Sequence, residues 1–192
     1  YKNAATVMAK AVVGTPVAQT VIDMAAADVA GKSIAWKAYT VMHALSQASY
    51  QFETYKSKPA KAHTLKRVRL HAAAEDQRAI KAQLKLGNAL DQGLSLTKDL
   101  GNEPPNVCNP TYLFSQAKKL AAYDKVTVSA LDEKQMTAKG MGAFMAVSQG
   151  SDSPGKMIVI QYKGGKKGTS PVALVGKGIT FDTGGISLKP PP

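Results

Sequence analysis

The dipeptide Pro104-Pro105 constrains this chain more than any other feature. Proline lacks an amide hydrogen and drives the residue before it out of the helical region, so no helix crosses Gly101-Asn102-Glu103-Pro104-Pro105-Asn106. Upstream, Ile80, Leu84, Leu90, Leu94 and Leu96 recur at helical spacing and predict one long helix over 75–100. Gly87 and Gly93 weaken it without excluding it. A long helix that runs into a proline stop reads as a connector between domains.

Both sides of this connector alternate between helical and strand patterns. Before it, residues 4–13 predict a short helix and 17–24 a strand. Ser33 caps a predicted helix over 34–55, whose apolar positions include Ile34, Val41, Leu45 and Phe52. Leu65, Val68 and Leu70 predict another strand. After the break, Pro110 opens a helix to 123, followed by a strand over 125–131 and a helix over 132–138. Residues 157–162 and 172–175 predict strands, and the basic, Gly-rich stretch 163–170 between them suits a hairpin or surface turn. Asp124 and Asp132 read as turn and helix-cap residues. The class is α/β. The expected division is part of a small α/β domain over 1–74, the connecting helix over 75–100, and the first part of a second α/β domain with a mixed sheet over 101–192.

Composition narrows the function classes. The 192 residues are 44% hydrophobic and 20% charged, the balance of an ordinary soluble globular protein. No stretch approaches the roughly 20 apolar residues of a bilayer span, so no membrane partner is expected. Tyr1-Lys2-Asn3 opens no signal-peptide pattern, and Cys108, the single cysteine, allows no internal disulfide; both fit a cytoplasmic location. The formal net charge is +12, from 25 Lys+Arg against 13 Asp+Glu. Such an excess keeps DNA open as a partner, although the basic residues are dispersed and the densest run is only Lys56, Lys58, Lys61, Lys66, Arg67 and Arg69.

One segment carries chemistry. A buried-type strand over 172–175 runs straight into Gly176-Lys177-Gly178-Ile179-Thr180-Phe181-Asp182-Thr183-Gly184-Gly185-Ile186-Ser187-Leu188-Lys189. Sites in open α/β sheets lie just beyond the carboxyl ends of strands, and glycine lets backbone approach a ligand closely. A lysine here can act as a neutral lone-pair donor or as an ammonium facing developing negative charge. The residues alone leave two readings open. The loop could cradle phosphate, although its spacing is neither G-x-G-x-x-G nor G-x-x-x-x-G-K-[ST]. It could equally be a tight turn with solvated lysines.

The run from Val175 to Lys189 resembles, at every position, a signature of the leucyl aminopeptidase family. The Asn102-to-Asn109 segment resembles the N-x-P-P-N stretch that opens that family's catalytic domain, and 141–151 and 158–164 resemble its next two blocks in order. The resemblance is strong from about Gly93 to Lys189 and weak before His71. It implies a two-metal aminopeptidase acting on peptides, leucine preferred, with Mn²⁺ or Zn²⁺ and possibly Mg²⁺ as cofactor, commonly a homo-hexamer. By matching position, Lys177 and Asp182 would be metal ligands and Lys189 the catalytic lysine. A ligating lysine must be neutral, well below its usual pKa of roughly 10.4, which adjacent divalent ions would favour. The family's remaining metal carboxylates and an active-site arginine lie beyond Pro192, so residues 1–192 alone are expected to be inactive. The rivals are a DNA-binding role and a catalytically dead structural relative. His43, His63 and His71 lack ligand spacing, and Cys108 has no evident histidine base.

Overall fold

Alanine at helical spacing gives a helix little area to bury but lets a neighbour come close, and the beginning of this chain is built on that trade. The computed structural model describes residues 1–181. The chain divides into two compact units, one of Tyr1–Asn102 and one from Glu103 onward.

The first unit runs α1 (Lys2–Gly14), β1 (Gln19–Asp23), α2 (Ile34–Ser49), β2 (Arg67–His71), a 3₁₀ turn (Ala74–Asp76) and α3 (Gln77–Asn102). β1 and β2 pair in parallel, from Gln19 opposite Arg67 to Asp23 opposite His71. Parallel neighbours require a crossover, and α2 supplies it. Ala5 and Ala9 of α1, Ala38, Val41, Ala44 and Leu45 of α2, Ile80 of α3, and Met24 form one buried cluster. Ser33 starts α2 as expected, its hydroxyl accepting from Trp36 N at 3.2 Å. The same helix buries Lys37, whose ammonium donates to the carbonyls of Met24 (3.0 Å) and Ala27 (2.9 Å) and lies 3.5 Å from Asp28. Those bonds satisfy the chain just past β1 and make the buried charge tolerable.

α3 packs on α2 within this unit through Ile80, Gly87 and Asp91, which are buried and follow at helical spacing. The predicted apolar stripe is therefore only partly the packed one. Ile80 is buried and Leu84 and Leu96 are half-buried, whereas Leu90 and Leu94 are exposed. Gly87 is what the close approach requires. A Cβ there would stand 2.5 Å from Tyr39 Cδ2 and 2.6 Å from Met42 Cε.

The second unit contains α4 (Pro110–Lys119) with a 3₁₀ turn (Leu120–Ala122), β3 (Val126–Leu131), α5 (Glu133–Ala138), α6 (Gly142–Ser148) and β4 (Met157–Tyr162). Asn109 caps α4, its side chain accepting from Tyr112 N at 3.0 Å, and Pro110 occupies the first turn, where its missing amide costs nothing. β3 and β4 pair antiparallel, Val126 opposite Tyr162 and Leu131 opposite Met157. Between them Asp132 forms a full capping box: its carboxylate accepts from Gln135 N at 2.8 Å, and Gln135 accepts from Asp132 N at 3.0 Å. Met136, on the helix so capped, is fully buried.

The α/β class read from the sequence is the one that forms, with small parallel and antiparallel sheets. Several element expectations need correction. The helix expected to reach 55 ends at Ser49, because Tyr50 turns extended and its hydroxyl is engaged by Asp99 (2.8 Å) and Asn102 (3.0 Å) at the end of α3. α6 had no counterpart among the predicted elements. Residues 172–175 form no strand: Val172, Leu174 and Val175 are 90%, 94% and 98% exposed. Their side chains are strand-like, but a strand exists only with a ladder partner, and none of the described residues pairs with them. Among the described residues no helix is long and apolar enough to cross a membrane.

Candidate functional site

The segment singled out by its chemistry follows β4 and a basic turn. Lys177 is exposed there, in irregular backbone, and makes no ion pair among the described residues. Asp182 and Lys189 lie outside the described residues, so their distances to Lys177 are not part of the geometry. No group of three or more His, Cys, Asp or Glu side chains comes together among the described residues. One amine without a carboxylate does not hold a divalent ion. The described residues therefore do not by themselves fit a metal pair.

The same unit shows why its other reactive side chain is quiet. Val107 N and Cys108 N both donate to Pro104 O, at 2.9 and 2.8 Å, so the proline stop folds back as a tight turn and buries Cys108. Burial, and secondarily the negative charge of Glu103, push its thiol above the usual range. A protonated buried thiol is no nucleophile.

The sequence reading gave His43 no ligand spacing and missed its partner. Its ring stacks on Tyr39, centroids 5.7 Å apart, and its Nδ1 lies 2.6 Å from Asp91 Oδ1. The carboxylate only accepts, so Nδ1 carries the proton. A usable signal existed: Asp91 falls on the Ile80–Gly87 face of α3, where an aspartate needs a buried partner. Lys37 carried a similar one, because it shares the packed stripe of α2 with Val41 and Ala44.

An α/β pair of units, the second opening with a helix capped after a proline stop and closing on a lysine- and glycine-rich segment, defines a class that comparison makes specific. Residues 95–192 match the model of the cytosol aminopeptidase family's catalytic domain, and residues 1–59 match that of its N-terminal domain. The chain belongs to the cytosol aminopeptidase family. A curated relative, the cytosol aminopeptidase of Pseudomonas aeruginosa, is 44% identical over 191 residues, 99% of this chain and 39% of the relative. The chain thus spans about two-fifths of that relative's length. A solved structure of a tomato leucine aminopeptidase mutant superposes with a TM-score of 0.80 at 27% identity, covering 96% of this chain and 37% of that one. The bottromycin maturation enzyme BotP in complex with Mn gives 0.67 at 25% identity, covering 84% and 32%.

Proposed function

We propose that the protein to which these 192 residues belong is a metal-dependent aminopeptidase that releases N-terminal amino acids, leucine among those preferred, from peptides. The observation that carries this reading is the run from Val175 to Lys189, which falls inside the span matching the family's catalytic domain. In this reading Lys177 and Asp182 belong to the ligands of a pair of divalent ions, Mn²⁺ or Zn²⁺ with Mg²⁺ as an alternative. Lys189 acts as an ammonium on the substrate's carbonyl oxygen, where a fixed positive charge favours the charged tetrahedral state over the neutral carbonyl. The remaining metal donors come from outside residues 1–192. We divide the chain into part of the N-terminal domain (1–74), a connecting helix (75–100) and the start of the catalytic domain (101–192). A cytoplasmic homo-hexamer completes the reading; relatives named cytosol aminopeptidase support the location.

The test is metal content measured beside kcat in the full-length protein. Asp182→Asn keeps size and removes charge, so metal content and activity should fall together. Lys177→Ala should also lose metal. Lys189→Ala should keep near wild-type metal while kcat drops by roughly 10²–10³-fold, the scale of one oxyanion donor. If all three variants leave both quantities intact, the segment is only a solvated turn. If Lys189→Ala loses metal while Lys177→Ala keeps it, the two lysine roles are reversed.

A further inference from the structure

α3 is apolar on two faces, and the described residues cover only one of them. Ile80, Gly87 and Asp91 are the buried side, packed on α2. On another side Leu86, Leu90 and Leu94 follow four residues apart and are 55%, 49% and 40% exposed. Beside this ridge runs a parallel row of small residues, Ala89, Gly93 and Thr97, also four apart and also exposed. None of the six carries a charge, and the Thr97 hydroxyl donates back to Gly93 O at 2.9 Å, within the helix. A contiguous exposed apolar strip of this kind marks an interaction surface. Gly93 is an independent sign. Glycine in a helix interior is costly. Gly87 has its reason in the Tyr39 ring, but nothing among the described residues lies within 4 Å of a Cβ at Gly93. Its smallness serves no contact inside this unit.

The pattern of the strip selects the partner. Helices pack by laying ridges of residues four apart into the grooves of a facing helix. Here a ridge and a trough of equal length lie side by side on one helix, so a second copy turned about a two-fold axis fills each trough with the other's ridge. A single antiparallel register does this for every residue: Leu86 meets Thr97, Leu90 meets Gly93 and Leu94 meets Ala89. Charge fixes the direction. Arg78, Lys81 and Lys85 are exposed in the first half of α3. Parallel pairing would set the two basic triplets against each other. Antiparallel pairing sends each toward the partner's C-terminal half, which holds Asp99 and the negative end of the helix dipole. We propose that the Leu86–Thr97 face of α3 is a self-association surface, on which α3 of a second copy packs antiparallel. This deepens the homo-oligomer reading given above and rests on it only for the fact of self-association.

In this register the two copies of Leu90 lie within about 10 Å of each other, whereas Arg78 and its counterpart are about 27 residues apart along the paired helices, roughly 40 Å. Leu90→Cys and Arg78→Cys are made in the full-length protein, treated with a short bismaleimide and mapped by peptide mass spectrometry. A link from one position to itself can only join two copies. Leu90→Cys should link to itself at least tenfold more than Arg78→Cys. Adding Gly93→Leu to Leu90→Cys fills the trough and should cut that link at least tenfold without lowering the melting midpoint. Sedimentation of the wild type separates the two readings. A wild-type oligomer whose Leu90→Cys copies do not link overturns this surface and leaves the homo-oligomer standing, with α3 covered by other residues of its own chain. A monomer overturns both. Self-linking of Arg78→Cys at the yield of Leu90→Cys, or a Leu90→Cys link kept in full with the trough filled, overturns the antiparallel register.

Discussion

Gly87→Ala isolates what holds α3 against α2. In an exposed helix interior, glycine to alanine gains about 1 kcal/mol from helix propensity. At position 87 the added methyl would stand 2.5 and 2.9 Å from two atoms of the Tyr39 ring and 2.6 Å from Met42 Cε. Met42 can swing its terminal methyl. Tyr39 has less freedom, because its ring stacks on His43, which is tied to Asp91 on the same helix as Gly87. Overpacking of this kind costs about 1–3 kcal/mol, so the net change should be a loss of about 1 kcal/mol. Gly93→Ala, six residues on in the same helix, is the control, because nothing lies within 4 Å of its Cβ position. It should stabilise by about 0.5–1 kcal/mol. The propensity gain is common to both variants, so their difference, about 1–3 kcal/mol, measures the packing clash alone. Urea unfolding followed by Trp36 fluorescence gives both values. If Gly87→Ala proves as stable as Gly93→Ala, α3 does not approach α2 as described.

Three further outcomes follow from features already described. Burial, then the hydrogen bond to Asp99, raises the Tyr50 hydroxyl above its usual pKa; that contribution is complete below about pH 10 and is lost as pH rises through the folded value. Tyr50→Phe should therefore flatten the alkaline limb of the stability–pH curve, and an unchanged limb would place the hydroxyl outside the balance. Asp132→Ala removes the side-chain half of the capping box on α5 and should cost about 1 kcal/mol, visible as faster hydrogen exchange at Gln135 and Met136; exchange at the wild-type rate there would contradict it. The 192-residue chain should not hydrolyse leucine p-nitroanilide with or without Mn²⁺, and sustained turnover by the pure chain would show that the site closes with residues not identified above.

Much of the fold was legible because the decisive signals were local. Ser33 and Asp132 announce their helices through hydrogen bonds made within three residues, and Pro104-Pro105 stops α3 for a reason internal to proline. The illegible parts depend on distant partners. The helical pattern of Phe52 and Tyr55 is locally sound, yet α2 ends six residues early because Tyr50 is claimed by Asp99, 49 positions away. Residues 172–175 have strand-like side chains and, among the described residues, no strand to join. The role of Lys177 was legible only by family resemblance, because an exposed lysine between glycines carries no physical mark that separates a ligand from a solvated side chain.

The parallel pair in the first unit also bears on how the chain is made. Gln19 meets Arg67, 48 positions downstream, so β1 cannot pair with β2 while the intervening α2 is still being synthesised. At about 5–20 residues per second, roughly 2–10 s separate the emergence of the two strands. During that interval the Ala5 and Ala9 face of α1 can already pack on α2, while the backbone amides of β1 stay open to any other extended segment nearby. The nascent chain is thus most vulnerable to mispairing before Arg67 leaves the ribosome.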